Sequence, residues 1–314
     1  MSALFYYIYN TINVLINMDI DYVFPYVDCT DPAWQVMAKP LWPQGKWQPE
    51  RFRDFGWLKY LLRALDENLP WLHSVAMLVD FDSQVPTWVD RSAVRVVTLD
   101  KFVPAEYLPT FNSNTIEMFL GDVPGLAEHI IYGNDDFFPL SPLSPDQYFT
   151  DTGIPKISYN KKNKLNTLFR LQCKKNWKTV VSHLPDYENE PTDVFYEQTH
   201  DPQSITITLI KEAARLTEKE RLDSITQKRN FAKNLSQYLY FDYAIATKQC
   251  VERKALHKFK SLKKEDAPEI LRIINDRIVP WVCLNDSEKT SLSIIPIITK
   301  ALQKRYPNKC KYEL

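Results

Sequence analysis

The chain has 314 residues, is 45% hydrophobic and carries 39 basic against 39 acidic residues, enough to bury a substantial core as one large domain. Zero formal net charge leaves no long positive face of the kind nonspecific binding uses, so no nucleic-acid partner is expected. Six glycines, none in a GxGxxG or GxxxxGK pattern, exclude the usual phosphate-cradling loops.

Residues 1–18, "MSALFYYIYNTINVLINM", form an uncharged apolar segment without the basic start or cleavage site of a signal peptide. Asn10, Asn13 and Asn17 interrupt it, so it reads as an interfacial helix with peripheral membrane contact or as a docked terminal helix, not as a membrane span. From Ile20 to Val27 an apolar strand runs up to Asp28, and Asp31 with Pro32 marks a turn. Asp54 can cap a helix whose apolar positions Trp57, Leu58, Leu61, Leu62 and Leu65 follow a helical period, closed after Asn68 by Pro70. "SVAMLVD" (74–80) and "VRVVTL" (94–99) are short β-branched runs, the first ending in Asp80.

Asn114 and Glu117 have the spacing of a capping box, ahead of Ile116, Phe119, Leu120 and Val123 on one helical face. "HIIYGNDDFF" (129–138) then carries a strand up to Asn134, Asp135 and Asp136. Strands alternating with amphipathic helices predict an α/β fold, a Rossmann-like and mainly parallel sheet with flanking helices, whose ligands bind beyond the carboxyl ends of the strands. Lys156 to Lys178 is basic and irregular, and Leu209 to Asn234 is charge-rich and helical. Roughly 156–265 is therefore expected to be an added helical region or lid on a domain spanning 19–314. Asp266 and Pro268 open a helix carrying Ile270, Leu271, Ile274 and Ile278, and "WVCLND" ends in Asn285 and Asp286. The five cysteines are odd in number and widely spaced, which points to a reducing cytoplasm.

Adjacent carboxylates at a strand end can hold a divalent cation or orient a hydroxyl, although Asn and Asp also favour plain turns. Asp28 carries the same two readings. Arg51 and Arg53 precede a helix N-terminus and could hold phosphate, or pair with Glu50 or Asp54. His200 in "QTHDPQS" could serve as a base or donate to a phosphoryl oxygen, and Arg229 in "QKRNF" could neutralise phosphate charge; each has an ordinary surface reading beside it.

Together these stretches resemble the Stealth family of bacterial capsule sugar-1-phosphate transferases, related to the catalytic subunit of the lysosomal-enzyme N-acetylglucosamine phosphotransferase. "IDYVFPYVDCTDPAW" is similar to the first region of that family, with Cys29 where a glycine is common. "RFRDFGWLKYLLRAL", "QVPTWV", "EYLPTFNSNTIE" and "IIYGNDDFF" follow in the order of the second, "THDPQS" with "QKRNF" the third, and "VCLNDSE" the fourth. The resemblance implies catalytic Asp135, Asp136, His200 and Arg229, and substrate contacts from Asp28, Arg51, Arg53, Asp54, Asn112, Asn114, Asn134 and Asn285. It also implies Mg2+ or Mn2+ held by Asp28, Asp135 and Asp286. The implied donor is a nucleotide-sugar, a UDP-sugar foremost, and the acceptor a glycan or lipid-linked glycan, in the cytoplasm at the inner face of a bacterial membrane. The implied reaction moves an intact hexose-1-phosphate or N-acetylhexosamine-1-phosphate in capsular or cell-surface polysaccharide synthesis. Two other readings stand beside it: an ordinary glycosyltransferase releasing nucleoside diphosphate, and a non-catalytic glycan-binding protein.

Overall fold

The computed structural model describes residues 18–42, 48–187 and 193–314; apart from Met18, the apolar segment read over residues 1–18 lies outside the described residues. In chain order the first half forms β1 (Ile20–Pro25), α1 (Pro32–Ala38), α2 (Leu58–Asn68), β2 (Ser74–Val79), β3 (Val94–Thr98), α3 (Ser113–Glu117), β4 (His129–Tyr132) and β5 (Phe137–Pro139). There follow β6 (Lys156–Ile157), β7 (Tyr159–Lys162), α4 (Leu168–Val181), β8 (Phe195–Gln198), β9 (Gln203–Thr206), α5 (Ile207–Leu216), α6 (Glu218–Asp223) and α7 (Tyr238–Ala246). The chain closes with β10 (Val251–Glu252), β11 (His257–Ser261), α8 (Ala267–Asp276), β12 (Trp281–Asn285) and α9 (Ile295–Arg305).

The central sheet has the order β3-β2-β1-β4-β9. Its first four strands are parallel and β9 runs antiparallel to β4. This is the expected α/β architecture with a mainly parallel sheet. Both faces are covered, as parallel sheets require. Tyr22 and Phe24 of β1, Val75 and Met77 of β2 and Ile131 of β4 point into one core, shared with α2, α8 and α9. Val23, Ala76, Leu78, Ile130 and Tyr132 alternate into the other, shared with α5 and α7. The stripe Leu58, Leu61, Leu62 and Leu65 of α2 is buried, each leucine contributing about 1.5–3 kcal/mol of hydrophobic stabilisation.

Four local readings change. β1 stops at Pro25, two residues short of Val27. The run 129–138 is two strands in two sheets: β4 belongs to the central sheet, and β5 pairs antiparallel with β12 in a second sheet of order β11-β12-β5. The short helix α3 is capped by Asn112, whose side chain accepts from the Asn114 amide, while Asn114 lies inside the helix and donates to Glu117 Oε2 at 2.9 Å; the Asn114 capping box is not formed. Lys156 to Lys178 is not irregular: Thr167 caps the 14-residue α4, whose buried face carries Gln172 and Asn176, so apolar periodicity did not mark it. Within 156–265, β9 completes the central sheet and Cys173, Trp177 and Val180 of α4 join its second core.

Candidate active site

The parallel strands place their carboxyl ends on one rim. Tyr26 follows β1, Asp80 follows β2, and Gly133, Asn134 and Asp135 follow β4. A cavity of about 290 Å³ opens there, bounded by Tyr26, Asp80, Asn134 and Asp135, by the loop Glu50–Phe55, by Asn112 and Ser113, by Arg229 and by Leu284–Asp286. Gly133 is required at the turn into the acids: a Cβ there would lie 2.1 Å from the buried Tyr22 hydroxyl.

Asp135 and Asp136 sit side by side at the switch from one sheet to the other. Burial and their mutual charge push Asp135 well above the usual carboxylate range, and burial also raises Asp136. The Asp136 carbonyl accepts from the Leu284 amide at 2.9 Å, which ties the switch to β12. Its carboxylate accepts from the Cys283 thiol at 3.3 Å, and its Oδ1 is buried without a hydrogen-bond partner among the described residues. An orphaned carboxylate oxygen beside a second buried acid suits a hard divalent cation, whose charge would offset both.

Arginines enter from the other walls. Arg51 and Arg229 face the same cavity, and burial together with the Arg229 charge lowers the Arg51 pKa. Arg229 donates to Ser113 Oγ and lies over the Phe231 ring. Arg53 is engaged differently: its Nε and Nη2 each donate at 2.8 Å to the Asp286 carboxylate, a bidentate pair. Asp286 also accepts from the Ser287 amide, so its oxygens are committed to the protein. Asp54 accepts from the Tyr26 hydroxyl at 2.9 Å and from the amides of Gly56 and Trp57; it shapes the loop ahead of α2 while lining the cavity. Asn112, Asn134 and Asn285 line it as well.

Three expected site residues do not line this cavity. Asp28 folds back on its own loop, accepting from the amide and hydroxyl of Thr30 at 2.8 and 2.7 Å, the plain turn. Asn114 is buried, donating to Glu117 and accepting from Gln172. His200 lines a small adjoining recess with Asn134 and Phe137. It stays beside the acids: a ring nitrogen of His200, a carboxylate oxygen of Asp136 and Cys283 Sγ all lie within 4.8 Å of one another. Burial lowers the His200 pKa, against the charge of Asp136, so the neutral imidazole prevails near neutral pH.

Two contributors went unread in the sequence. Asp80 lines the cavity half-buried, accepts from the Trp34 indole at 2.7 Å and has its pKa raised to about 7; its strand-end position, shared with Asp135, was the available signal. Arg253 pairs at 2.8 Å with Asp201, donates to the Pro202 carbonyl at 2.7 Å, and so fixes the loop that carries His200. Nothing in its local sequence announces that role.

Among the described residues no helix is long and apolar enough to cross a membrane. Residues 51–157 match the family model for Stealth protein CR2, conserved region 2. The exopolysaccharide phosphotransferase cps2G of Lactiplantibacillus plantarum is 38% identical over 144 residues, which covers 45% of this chain and 42% of that one. A capsular polysaccharide phosphotransferase of Neisseria meningitidis serogroup B is 37% identical over 158 residues, 47% of this chain and 42% of that one. The matches thus span less than half the length of these relatives. A solved galactosyltransferase, LgtC with donor and acceptor sugar analogs, is a distant likeness: its TM-score is 0.41 at 10% identity, over 94% of this chain and 98% of that one.

Proposed function

Because this chain carries the second conserved region of the Stealth proteins across residues 51–157, we propose that it is a polysaccharide phosphotransferase of capsule or exopolysaccharide synthesis. Its reaction would transfer an intact sugar-1-phosphate from a nucleotide-sugar to a glycan hydroxyl. The observation that carries this reading is the meeting of both charges in one cavity, whose lining includes Arg51 and Arg229 together with Asp135 and Asp136. Two guanidinium groups close enough for the Arg229 charge to help lower the Arg51 pKa suit a diphosphate that bridges them, and the acids suit a hydroxyl and a cation.

The acceptor hydroxyl oxygen forms a bond to the phosphorus next to the sugar. The bond from that phosphorus to the oxygen of the nucleoside monophosphate breaks, and the leaving group departs with the electron pair. The sugar's own carbon–oxygen bond stays intact. Asp136 takes the hydroxyl proton, since its carboxylate reaches the cavity and burial raises its basicity. His200, with a ring nitrogen within 4.8 Å of an Asp136 carboxylate oxygen, would act through that neighbour as a positioning residue. Arg51 and Arg229 bind the phosphoryl oxygens, whereas Arg53, closed on Asp286, braces the wall. Mg2+ or Mn2+, when bound, would neutralise diphosphate charge, and Asp135 with Asp136 would hold it. Of the other carboxylates expected to be ligands, Asp286 has both oxygens engaged by Arg53, and Asp28, outside the cavity lining, has one oxygen accepting from Thr30.

The deciding experiment resolves the nucleotide released from UDP-, GDP- and CMP-linked sugars with magnesium or manganese and a glycan acceptor. With a UDP-sugar, acceptor-dependent UMP is expected; UDP would instead identify an ordinary glycosyltransferase. Asp136→Asn should abolish turnover while its thermal melt stays close to wild type, and normal turnover would remove Asp136 from the catalytic set.

A further inference from the structure

A chain with zero net charge places eight Lys or Arg and no carboxylate between residues 152 and 185. The polysaccharide reading above makes no use of this stretch. It includes β7 and α4, which present both charge and apolar surface to water. Leu165, Leu168 and Leu171 are 47%, 64% and 39% exposed, an unusual cost for three leucines within seven residues. Along α4, Leu168, Leu171, Lys175 and Lys178 recur at helical spacing and form one stripe. A shallow groove beside them is lined by Leu165, Leu171, Lys174, Lys175 and Lys178, with Glu220 at its edge.

Carboxylates only partly cancel the charge. Arg170 pairs with Glu197, and Lys174 approaches the exposed Asp193 at 3.5 Å. Glu220 is hydrogen-bonded to His183. Lys164 and Lys178 are exposed and have no ion-pair partner among the described residues. Lys175 donates to the backbone carbonyls of Ala232 and Lys233 and has no carboxylate partner among the described residues.

We propose that this leucine and lysine face of α4, with the preceding loop, docks the protein on an anionic lipid bilayer. Leucines beside cations match the two layers of a membrane interface: the leucines enter the acyl boundary, and the lysines lie along it with their ammonium groups among the anionic headgroups. A soluble anionic glycan would satisfy the lysines but leave the leucines in water, so charge and apolarity together select the bilayer. This surface shares no residue with the lining of the cavity.

The test is co-sedimentation of the full chain with vesicles of phosphatidylcholine alone and of equal parts phosphatidylcholine and phosphatidylglycerol. Binding to the anionic vesicles only, weakening with added salt, is expected. The Lys164→Glu, Lys178→Glu double variant should partition at least about tenfold less, since each basic residue near such a surface is worth about 1 kcal/mol. The Leu168→Ser, Leu171→Ser double variant should lose binding even at low salt. All four positions are solvent-facing, and a circular-dichroism melt confirms that the variants fold. Wild-type binding that both variants retain would overturn the proposal. Failure to bind vesicles while polyphosphate is bound through the lysines alone would overturn it too, assigning the face to a soluble polyanion.

Discussion

Asp80 lines the cavity, and burial lifts its carboxyl to about 7 while the Trp34 indole donates to it. The folded chain therefore holds a proton that the unfolded chain has released, at every pH between the ordinary value of 3.8 and about 7. Its stabilising contribution is full below pH 4 and is lost as pH rises, by about 1.4 kcal/mol per unit, levelling off above the folded value. Asp80→Asn keeps an oxygen for the indole and removes the titration. Urea denaturation should find it about as stable as wild type near pH 4 and more stable at pH 8, with a flatter slope between. Equal slopes would show that Asp80 does not carry this proton. At this scale the sequence reveals types and loses partners. Asp135 and Asp136, at a strand end, and Arg51, ahead of a helix, could be picked out from position as candidates, whereas Arg229 read as a residue of a charged helix and entered through the family resemblance; all four line the cavity. Asp28 looked the same, yet a nearby threonine made it a turn. Asp286 looked like a ligand until Arg53, distant in sequence, closed on it.

The switch from β4 to β5 is the element on which the site depends, and it is held by backbone contacts more than by side chains. The Gly133 amide donates to the Val23 carbonyl at 2.9 Å, and the chain turns where Tyr22 leaves no room for a Cβ. Gly133→Ala should cost about 1–3 kcal/mol through overpacking and displace both acids, so urea unfolding and turnover should fall together. The His200 loop has its own brace in Arg253 and Asp201, whose side chains are 7% and 0% exposed. Arg253→Ala leaves a buried carboxylate unpaired and should cost about 3–5 kcal/mol. A smaller loss, under 1 kcal/mol by denaturant titration, would mean that Thr199 and Gln203 hold Asp201 without it. The strands β2, β3 and β12 and the helices α2 and α8 were legible because their apolar spacing matches one period. Helix α4 was not, since its buried face is partly amide and its exposed face partly leucine. Strand β9 was hidden as well: four residues after a histidine loop carry too little pattern to signal membership of the central sheet.

Two sheets meet at the cavity, and polar links tie the elements around it together. One is the Arg53 and Asp286 pair, which joins the loop ahead of α2 to the end of β12. Both side chains are partly buried, and a double-mutant cycle with alanine at each position should return a coupling of about 0.5–3 kcal/mol, read from denaturant midpoints; zero coupling would make the pair incidental. The overall α/β class was legible from alternation alone, but the second sheet was not, because it pairs β5 with strands that arrive more than a hundred residues later. That separation also has a meaning in time. Arg53 and its partner are 233 residues apart, so at 5–20 residues per second a ribosome makes the arginine on the order of ten to fifty seconds before the aspartate. Until then the nascent chain carries an uncapped cation at the mouth of an unfinished cavity, and Asp136 lacks the β12 amide that holds its carbonyl. The cavity thus takes its final shape only after β12 has been made.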